Sequence, residues 1–340
     1  MTFMNEKVFK SKKSIKYVFQ SAKKDNDFLI VVFSGFGPKG SKPVYNYIRT
    51  LSHLDVNKLF ILDDQGDRGC YYLGENRNFD IEFSVISLIN HIANNQSIHD
   101  SNIICCGSSK GGYAALYFSI KYEFGFAIVG APQTKLGSYL YKVKELSTLE
   151  FIAGDCSDES VLFCDKLLYD VVEKSKQIPD LYIHVGSGEH HYEDHVLPFQ
   201  RHLNRFGFDC SLDLKDYSDH GKIGEFYQKV LLNKLIEKKI PVLKDSFRIT
   251  DVNVEVLENK FLLSMQANKK ATYAWYVLKD KKRVHMSWYT DNPDLEYKIE
   301  SPGKYEFVAF CKDQEGMLMI ENTNKYIIVE KYELKEIVNK

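Results

Sequence analysis

No stretch of the 340-residue sequence approaches the apolar length needed to cross a bilayer, so a transmembrane anchor is not expected. The first residues, Met1 to Lys24, carry Lys7, Lys10, Lys12, Lys13, Lys16, Lys23 and Lys24 but lack the uninterrupted apolar run of a signal peptide. They read as a solvated leading segment, and the expected location is the cytoplasm. Charge of either sign is not in surplus: 45 Lys and Arg stand against 46 Asp and Glu, a net charge of −1. The broad positive field of a non-specific nucleic-acid binder is therefore missing, and no nucleic-acid partner is expected. The 7 cysteines are odd in number and lack metal-type spacing, which fits a reducing compartment; Cys105 and Cys106 read as small core residues of a buried strand. There is no H-E-x-x-H, no internal repeat and no low-complexity segment.

What is present is 44% apolar content in a chain long enough for two domains. Phe28 to Phe33 is a continuous apolar run, as expected for a strand covered on both faces, and it ends in a glycine-rich loop from Ser34 to Gly40. The pattern then predicts a helix over Val44 to Leu54, a strand over Leu59 to Leu62 and a long loop from Asp63 to Asn78. An amphipathic helix follows over Phe79 to Asn94, with Ile81, Val85, Leu88, Ile89 and Ile92 on one face. Further strands are expected at Asn102 to Cys106, Phe126 to Val129, Leu181 to Val185 and Cys210 to Leu214. Helices are expected over Tyr113 to Tyr122, Ser157 to Lys176, around Leu197 to Phe206, and over Ile223 to Glu237. Strands alternating with helices imply a mostly parallel sheet, an α/β domain over residues 1–240. Beyond Ile240-Pro241 come short alternating runs such as Phe261 to Met265, Tyr273 to Leu278 and Tyr305 to Phe310. They predict an all-β immunoglobulin- or fibronectin-like sandwich over residues 245–335.

The chemistry concentrates at Gly107-Ser108-Ser109-Lys110-Gly111, between a buried strand and a helix. It fits the G-x-S-x-G nucleophile elbow, in which a strained turn lifts a serine hydroxyl above the sheet. In that arrangement the partners follow in the order serine, acid, histidine. His220, in Tyr217-Ser218-Asp219-His220-Gly221, lies after the last strand and before the last helix, where the base belongs. Glu189, three residues past Gly186, is the preferred acid; Asp194 is the alternative and Asp155 a more distant one. The amides of Lys110 and of Gly35 or Phe36 are the candidate oxyanion donors, and the Lys110 side chain is either solvated or helps hold an anion. His190, His191, Glu193, Asp194 and His195 invite a metal reading, but the expectation is no metal, with these groups lining the pocket mouth. Lys39, Lys42, Arg68 and Arg77 lie in loops at the sheet's carboxyl edge, where an anionic group of a substrate could bind, and Arg68, Tyr71, Tyr72 and His191 are the candidate substrate-binding residues. In the C-terminal domain Trp275, Tyr276, Trp288 and Tyr289 could stack sugars, although core or turn packing is the commoner role of such residues.

Gly107 to Tyr117, with Gly130-Ala131-Pro132-Gln133-Thr134-Lys135-Leu136-Gly137-Ser138-Tyr139-Leu140, Phe33-Ser34-Gly35, Asp67 to Tyr72 and His184 to Pro198, resembles a branch of serine α/β-hydrolases found in bacterial surface-glycan systems. The likeness spans roughly Phe28 to Leu235 and includes capsular polysaccharide biosynthesis proteins and the accessory-secretion glycan O-acetyltransferases. It implies a Ser, Glu, His triad carried onto Ser109, Glu189 and His220, and acyl-group chemistry on a carbohydrate. The expected function is that of an O-acetyltransferase, with acetyl-CoA as candidate donor, no tightly bound cofactor, a carbohydrate substrate and capsule-synthesis enzymes as candidate partners. An esterase or deacetylase is the close alternative, and a non-catalytic component of a glycan-synthesis complex the alternative of another class.

Overall fold

The computed structural model describes residues 5–24, 26–37, 40–243, 247–257, 259–314, 318–329 and 334–338, in two compact units, Met1–Val242 and Leu243–Lys340. In the first, strands β1 (Glu6–Lys10), β2 (Ser14–Gln20), β3 (Leu29–Phe33) and β4 (Asn57–Ile61) precede helix α1 (Asp80–Asn95). Then come β5 (Ile103–Ser108), α2 (Lys110–Lys121), β6 (Phe126–Gly130), α3 (Leu136–Lys142), α4 (Leu146–Ala153) and α5 (Asp158–Lys174). The unit closes with β7 (Asp180–Gly186), α6 (Leu197–Arg205), β8 (Ser211–Lys215) and α7 (Ile223–Glu237). Its eight strands form one sheet in the order β1-β2-β4-β3-β5-β6-β7-β8, parallel from β4 to β8. Every residue of β3 and β5 is buried, as their unbroken apolar runs require in a sheet covered on both faces. α7 shows the complementary pattern: Ile223, Tyr227, Leu231 and Leu235, one turn apart, are its buried stripe.

Two sequence expectations fail for physical reasons. The N-terminal segment is not merely solvated: β1 and β2 form an antiparallel hairpin, and β2 extends the sheet by pairing antiparallel with β4. Ile15, Tyr17 and Val18 are buried, while the intervening Lys16 pairs with Asp64 at 2.7 Å, so a lysine-rich composition hid a strand. The helix expected over Val44 to Leu54 is a series of turns; Tyr47 takes a left-handed φ of 61°, and its hydroxyl hydrogen-bonds the Ser108 hydroxyl. The spacing of Val44, Ile48, Leu51 and Leu54 resembles a helix face, but the tertiary contact of Tyr47 overrides it.

Because the central strands run parallel, their carboxyl ends lie at one edge. The loops after β3, β5, β6, β7 and β8 meet there. No helix among the described residues is long and apolar enough to cross a membrane.

The second unit contains β9 (Ile249–Leu257), β10 (Lys260–Ala267), β11 (Ala271–Lys279), β12 (Lys282–Met286), β13 (Leu295–Lys298), β14 (Gly303–Asp313), β15 (Leu318–Val329) and β16 (Leu334–Val338). They form two separate antiparallel sheets, β13-β10-β9 and β12-β11-β14-β15-β16. One core, including Phe261, Leu263, Met265, Trp275, Val277 and Phe307, joins the inner faces. Trp275 is therefore a core residue, its indole N–H bonded to the Pro293 carbonyl at 2.9 Å, and not a sugar platform. Tyr276 packs on Phe310 with ring centroids 4.4 Å apart, whereas Trp288 is 76% exposed.

Candidate active site

Ser109 joins β5 to α2 in a conformation, φ 55° and ψ −119°, that most residues avoid. The turn is tight enough that a Cβ on Gly107 would collide with the Gly111 carbonyl, and one on Gly111 with the Phe33 carbonyl. The register that sets Ser108 beside Gly130 brings the start of the β6 loop next to the serine, whose amide donates to the Gly130 carbonyl at 2.8 Å.

Ser109 Oγ lies 3.1 Å from His220 Nε2. On the other side of the ring, His220 Nδ1 hydrogen-bonds Glu189 Oε1. A nitrogen against a carboxylate carries the proton, so Nε2 is left as the acceptor for the serine hydroxyl. Glu189 is buried, and burial by itself would raise its carboxyl; the His191 and His220 imidazoles beside it outweigh that and hold it at about 2. It is therefore ionised across the physiological range.

His191 stacks face to face on His220 with centroids 4.2 Å apart, and its Nδ1 lies 3.1 Å from Glu189 Oε1 at an angle outside hydrogen-bond geometry. His195 continues this packing, 5.3 Å from His191, while its Nδ1 accepts from the Lys135 amide at 3.2 Å. Burial dominates both: His191 is lowered to about 4 and His195 to about 3. The folded chain thus refuses protons that unfolded histidine takes up near the ordinary value of 6.5. Stability is accordingly lost as pH falls from about 6.5 toward 4, at a cost on the order of 1–2 kcal/mol per histidine. Thermal melts should show a lower midpoint at pH 5 than at pH 7; a midpoint that does not move would contradict neutral burial of this pair.

The other sequence candidates divide. Of the acids, Asp194 pairs with Lys142 at 2.7 Å on the surface and Asp155 accepts from Ser157 and Ser160 at the start of α5; neither faces His220. Of the oxyanion donors, the Gly35 amide is taken by Asn46 Oδ1 at 2.8 Å, which leaves Phe36 and Lys110 as the pair to consider. The Lys110 side chain is not solvated: it is buried in an ion pair with Asp63 at 2.6 Å. Arg68 is not aimed at a substrate; it pairs with Glu145, donates to the Gly37 carbonyl at 2.6 Å and lies over the Phe36 ring, pinning that loop. Tyr72 is a core residue whose oxygen accepts from the Ser34 amide at 2.6 Å and whose proton goes to the Ile61 carbonyl at 2.8 Å. Tyr71 and His191 are fully buried, so neither offers a surface to a substrate. Arg77 is bound to Ala153, Glu159 and Ser160, Lys42 is exposed, and Lys39 lies outside the described residues.

Gln133, Asn46 and Asp63 were not singled out from the sequence. Gln133 had a signal: it is a polar residue three positions beyond a buried strand that neighbours the elbow. Its amide nitrogen donates to Ser109 Oγ at 2.7 Å.

Among the described residues Glu189, His191 and His220 are the group whose potential metal-ligand atoms fall within 4.8 Å of one another. Holding an ion there would take His220 Nδ1 away from the carboxylate. The His191 and His195 pairing considered in the sequence packs instead around Tyr139, 5.5 and 5.6 Å from its ring.

No family model and no curated protein matches the chain. Solved structures do. The capsule O-acetyltransferase of Neisseria meningitidis serogroup A, as a histidine mutant in complex with CoA, superposes with a TM-score of 0.59 at 20% identity, over 69% of this chain and 96% of that one. The Glycosylation Associate Protein (Gap123) complex of Streptococcus agalactiae gives 0.59 at 15%, over 68% of this chain and 47% of that one. A substrate-bound fluorophosphonate-binding serine hydrolase of Staphylococcus aureus gives 0.50 at 14%, over 66% and 91%. At these identities the likeness is one of fold: the chain has an α/β-hydrolase-like, mostly parallel sheet, with separate antiparallel sheets following it.

Proposed function

We propose that the first unit is a serine-dependent acyl-transfer enzyme acting on a surface carbohydrate, an O-acetyltransferase of capsular or surface polysaccharide, and that the second unit is an immunoglobulin- or fibronectin-like accessory domain. One observation carries the chemistry: Ser109 at a strained strand-to-helix turn, in hydrogen-bond reach of His220, which is in turn bonded to buried Glu189. Such a constellation activates a hydroxyl that is otherwise inert. Ser109 Oγ bonds to the acyl carbonyl carbon while its proton passes to His220 Nε2. The carbonyl oxygen, now negative, lies against the Phe36 and Lys110 amides. Collapse expels the donor's leaving group, which takes the proton from His220. In the second half the sugar hydroxyl gives its proton to His220 and attacks the acyl-enzyme, and Ser109 Oγ leaves with that proton.

The carbohydrate context and acetyl-CoA as donor rest on the sequence resemblance and on likeness to a capsule O-acetyltransferase solved with CoA. Likeness to a glycosylation-associated complex supports partners among glycan-synthesis proteins in the cytoplasm. Likeness to a serine hydrolase keeps the esterase reading alive, since water in place of the sugar hydroxyl makes the same site hydrolytic.

A fluorophosphonate tests the nucleophile. Native protein should be labelled covalently and Ser109→Ala not at all; equal labelling of the two would end the serine reading. Incubation with acetyl-CoA and purified capsular glycan, followed by mass spectrometry, separates the reactions: acetylated sugar supports transfer, and loss of acetyl groups from an acetylated glycan supports the esterase.

A further inference from the structure

Ser109 Oγ has a second neighbour besides the histidine. Gln133 Nε2 donates to it at 2.7 Å, and Gln133 is fully buried. The orientation of that amide is fixed from behind: the Tyr71 hydroxyl donates to Gln133 Oε1 at 2.6 Å. Burial raises Tyr71 far above the ordinary tyrosine range, so its proton is always present and the amide oxygen is always the end that faces it. Tyr71 is itself immobilised, with its ring edge-to-face against Phe36 at 5.6 Å and Tyr113 at 5.4 Å, and its backbone held at φ 56°. A left-handed tyrosine is costly and persists only where its surroundings over-determine it.

This relay has two chemical consequences. An oxygen that accepts the Gln133 N–H directs its own proton to its other polar neighbour, so the serine rotor is set toward His220 Nε2. As that proton leaves, charge accumulates on Oγ, and a hydrogen bond to a charged oxygen is roughly twice as strong as one to a neutral hydroxyl. The N–H therefore stabilises the transition state more than the resting serine, which is the condition for accelerating the step. The same holds in reverse when Oγ leaves the acyl-enzyme.

We propose that Gln133 is a further catalytic residue, a side-chain donor to the nucleophile's own oxygen, and that Tyr71 is the positioning residue that keeps its amide turned that way. This rests on the reading of Ser109 as the nucleophile. It differs from an oxyanion-hole role, because the oxygen served belongs to the enzyme and not to the acyl group.

The test is the second-order rate of fluorophosphonate labelling, read on protein shown to be folded by circular dichroism. Gln133→Met, close in volume but without the donor, should label about 10–100-fold more slowly than native, in the range that follows loss of one transition-state donor or of its alignment. Gln133→Glu should be slower still, because its carboxylate competes with His220 for the serine proton and opposes charge on Oγ. Tyr71→Phe, which keeps the donor but frees the amide, should lie between native and Gln133→Met, and it carries the test if the Gln133 variants do not fold. Folded Gln133→Met or Tyr71→Phe labelling within twofold of native overturns the proposal while leaving the serine reading intact. Native protein labelling no faster than Ser109→Ala overturns both.

Discussion

Glu189→Gln should lower turnover of a small activated ester such as 4-nitrophenyl acetate by about four orders of magnitude with little change in melting temperature. The carboxylate performs two tasks that an amide of the same shape performs badly. It holds the proton on His220 Nδ1, so that Nε2 faces Ser109 as an acceptor, and it stabilises the imidazolium formed when the serine proton arrives. A glutamine can present its N–H to Nδ1 and so select the opposite tautomer, with Nε2 protonated against the serine hydroxyl. Because Glu189 is buried and held at about 2, the native carboxylate is charged under every condition in which the assay would be run. Asp194→Asn is the control, since its carboxylate is half exposed on Lys142; it should change the rate by no more than about twofold, as expected for a surface pair. A loss below tenfold for Glu189→Gln would remove Glu189 from the proposed triad.

Asp63→Ala should destabilise the first unit by about 3–5 kcal/mol, the cost of leaving one member of a buried ion pair without its partner. Lys110 Nζ and Asp63 Oδ2 are 2.6 Å apart and each side chain is 1% exposed. The same carboxylate accepts from the Cys70 amide with both oxygens, at 3.0 Å each. It therefore ties the first residue of α2 to the loop carrying Tyr71 and Tyr72. Gly69 at that point, with φ 90°, leaves no room for a Cβ beside Asp63 and Lys110. Asp63→Asn combined with Lys110→Met keeps an acceptor for Cys70 and removes the charge, so denaturant unfolding should find the double variant more stable than Asp63→Ala. If Asp63→Ala costs less than about 1 kcal/mol, the pair is not what holds the elbow to that loop.

The local parts of this molecule were legible because their causes are local. A continuous apolar run such as Leu29 to Phe33 can only be a strand covered on both faces, and the Ile223 to Glu237 stripe repeats at helical spacing, so both ranges were readable from periodicity. The elbow was readable because Gly107 and Gly111 are steric requirements of one turn. Residues whose surroundings come from distant segments misled. Arg68, Lys110 and Tyr72 have the composition of a binding surface, yet Glu145, Asp63 and the Ser34 amide are their partners. Tyr47 broke a helix that the spacing allowed because its hydroxyl reaches Ser108, 61 residues along the chain.

The sequence by itself determined an alternation of strands and helices, a serine on a turn too tight for side chains on its flanks, and a histidine in the loop before the last helix. It could not choose between Glu189 and Asp194, which lie five positions apart in one acidic and histidine-rich stretch. Only the tertiary structure did, because the turn after β7 buries Glu189 beneath His220 while the following helical turn carries Asp194 out to Lys142. The same parallel register brought Gln133 to Ser109 Oγ from the neighbouring strand's end. Hydrogen-bond partners across a sheet edge follow from strand order, and strand order is not written in any single segment.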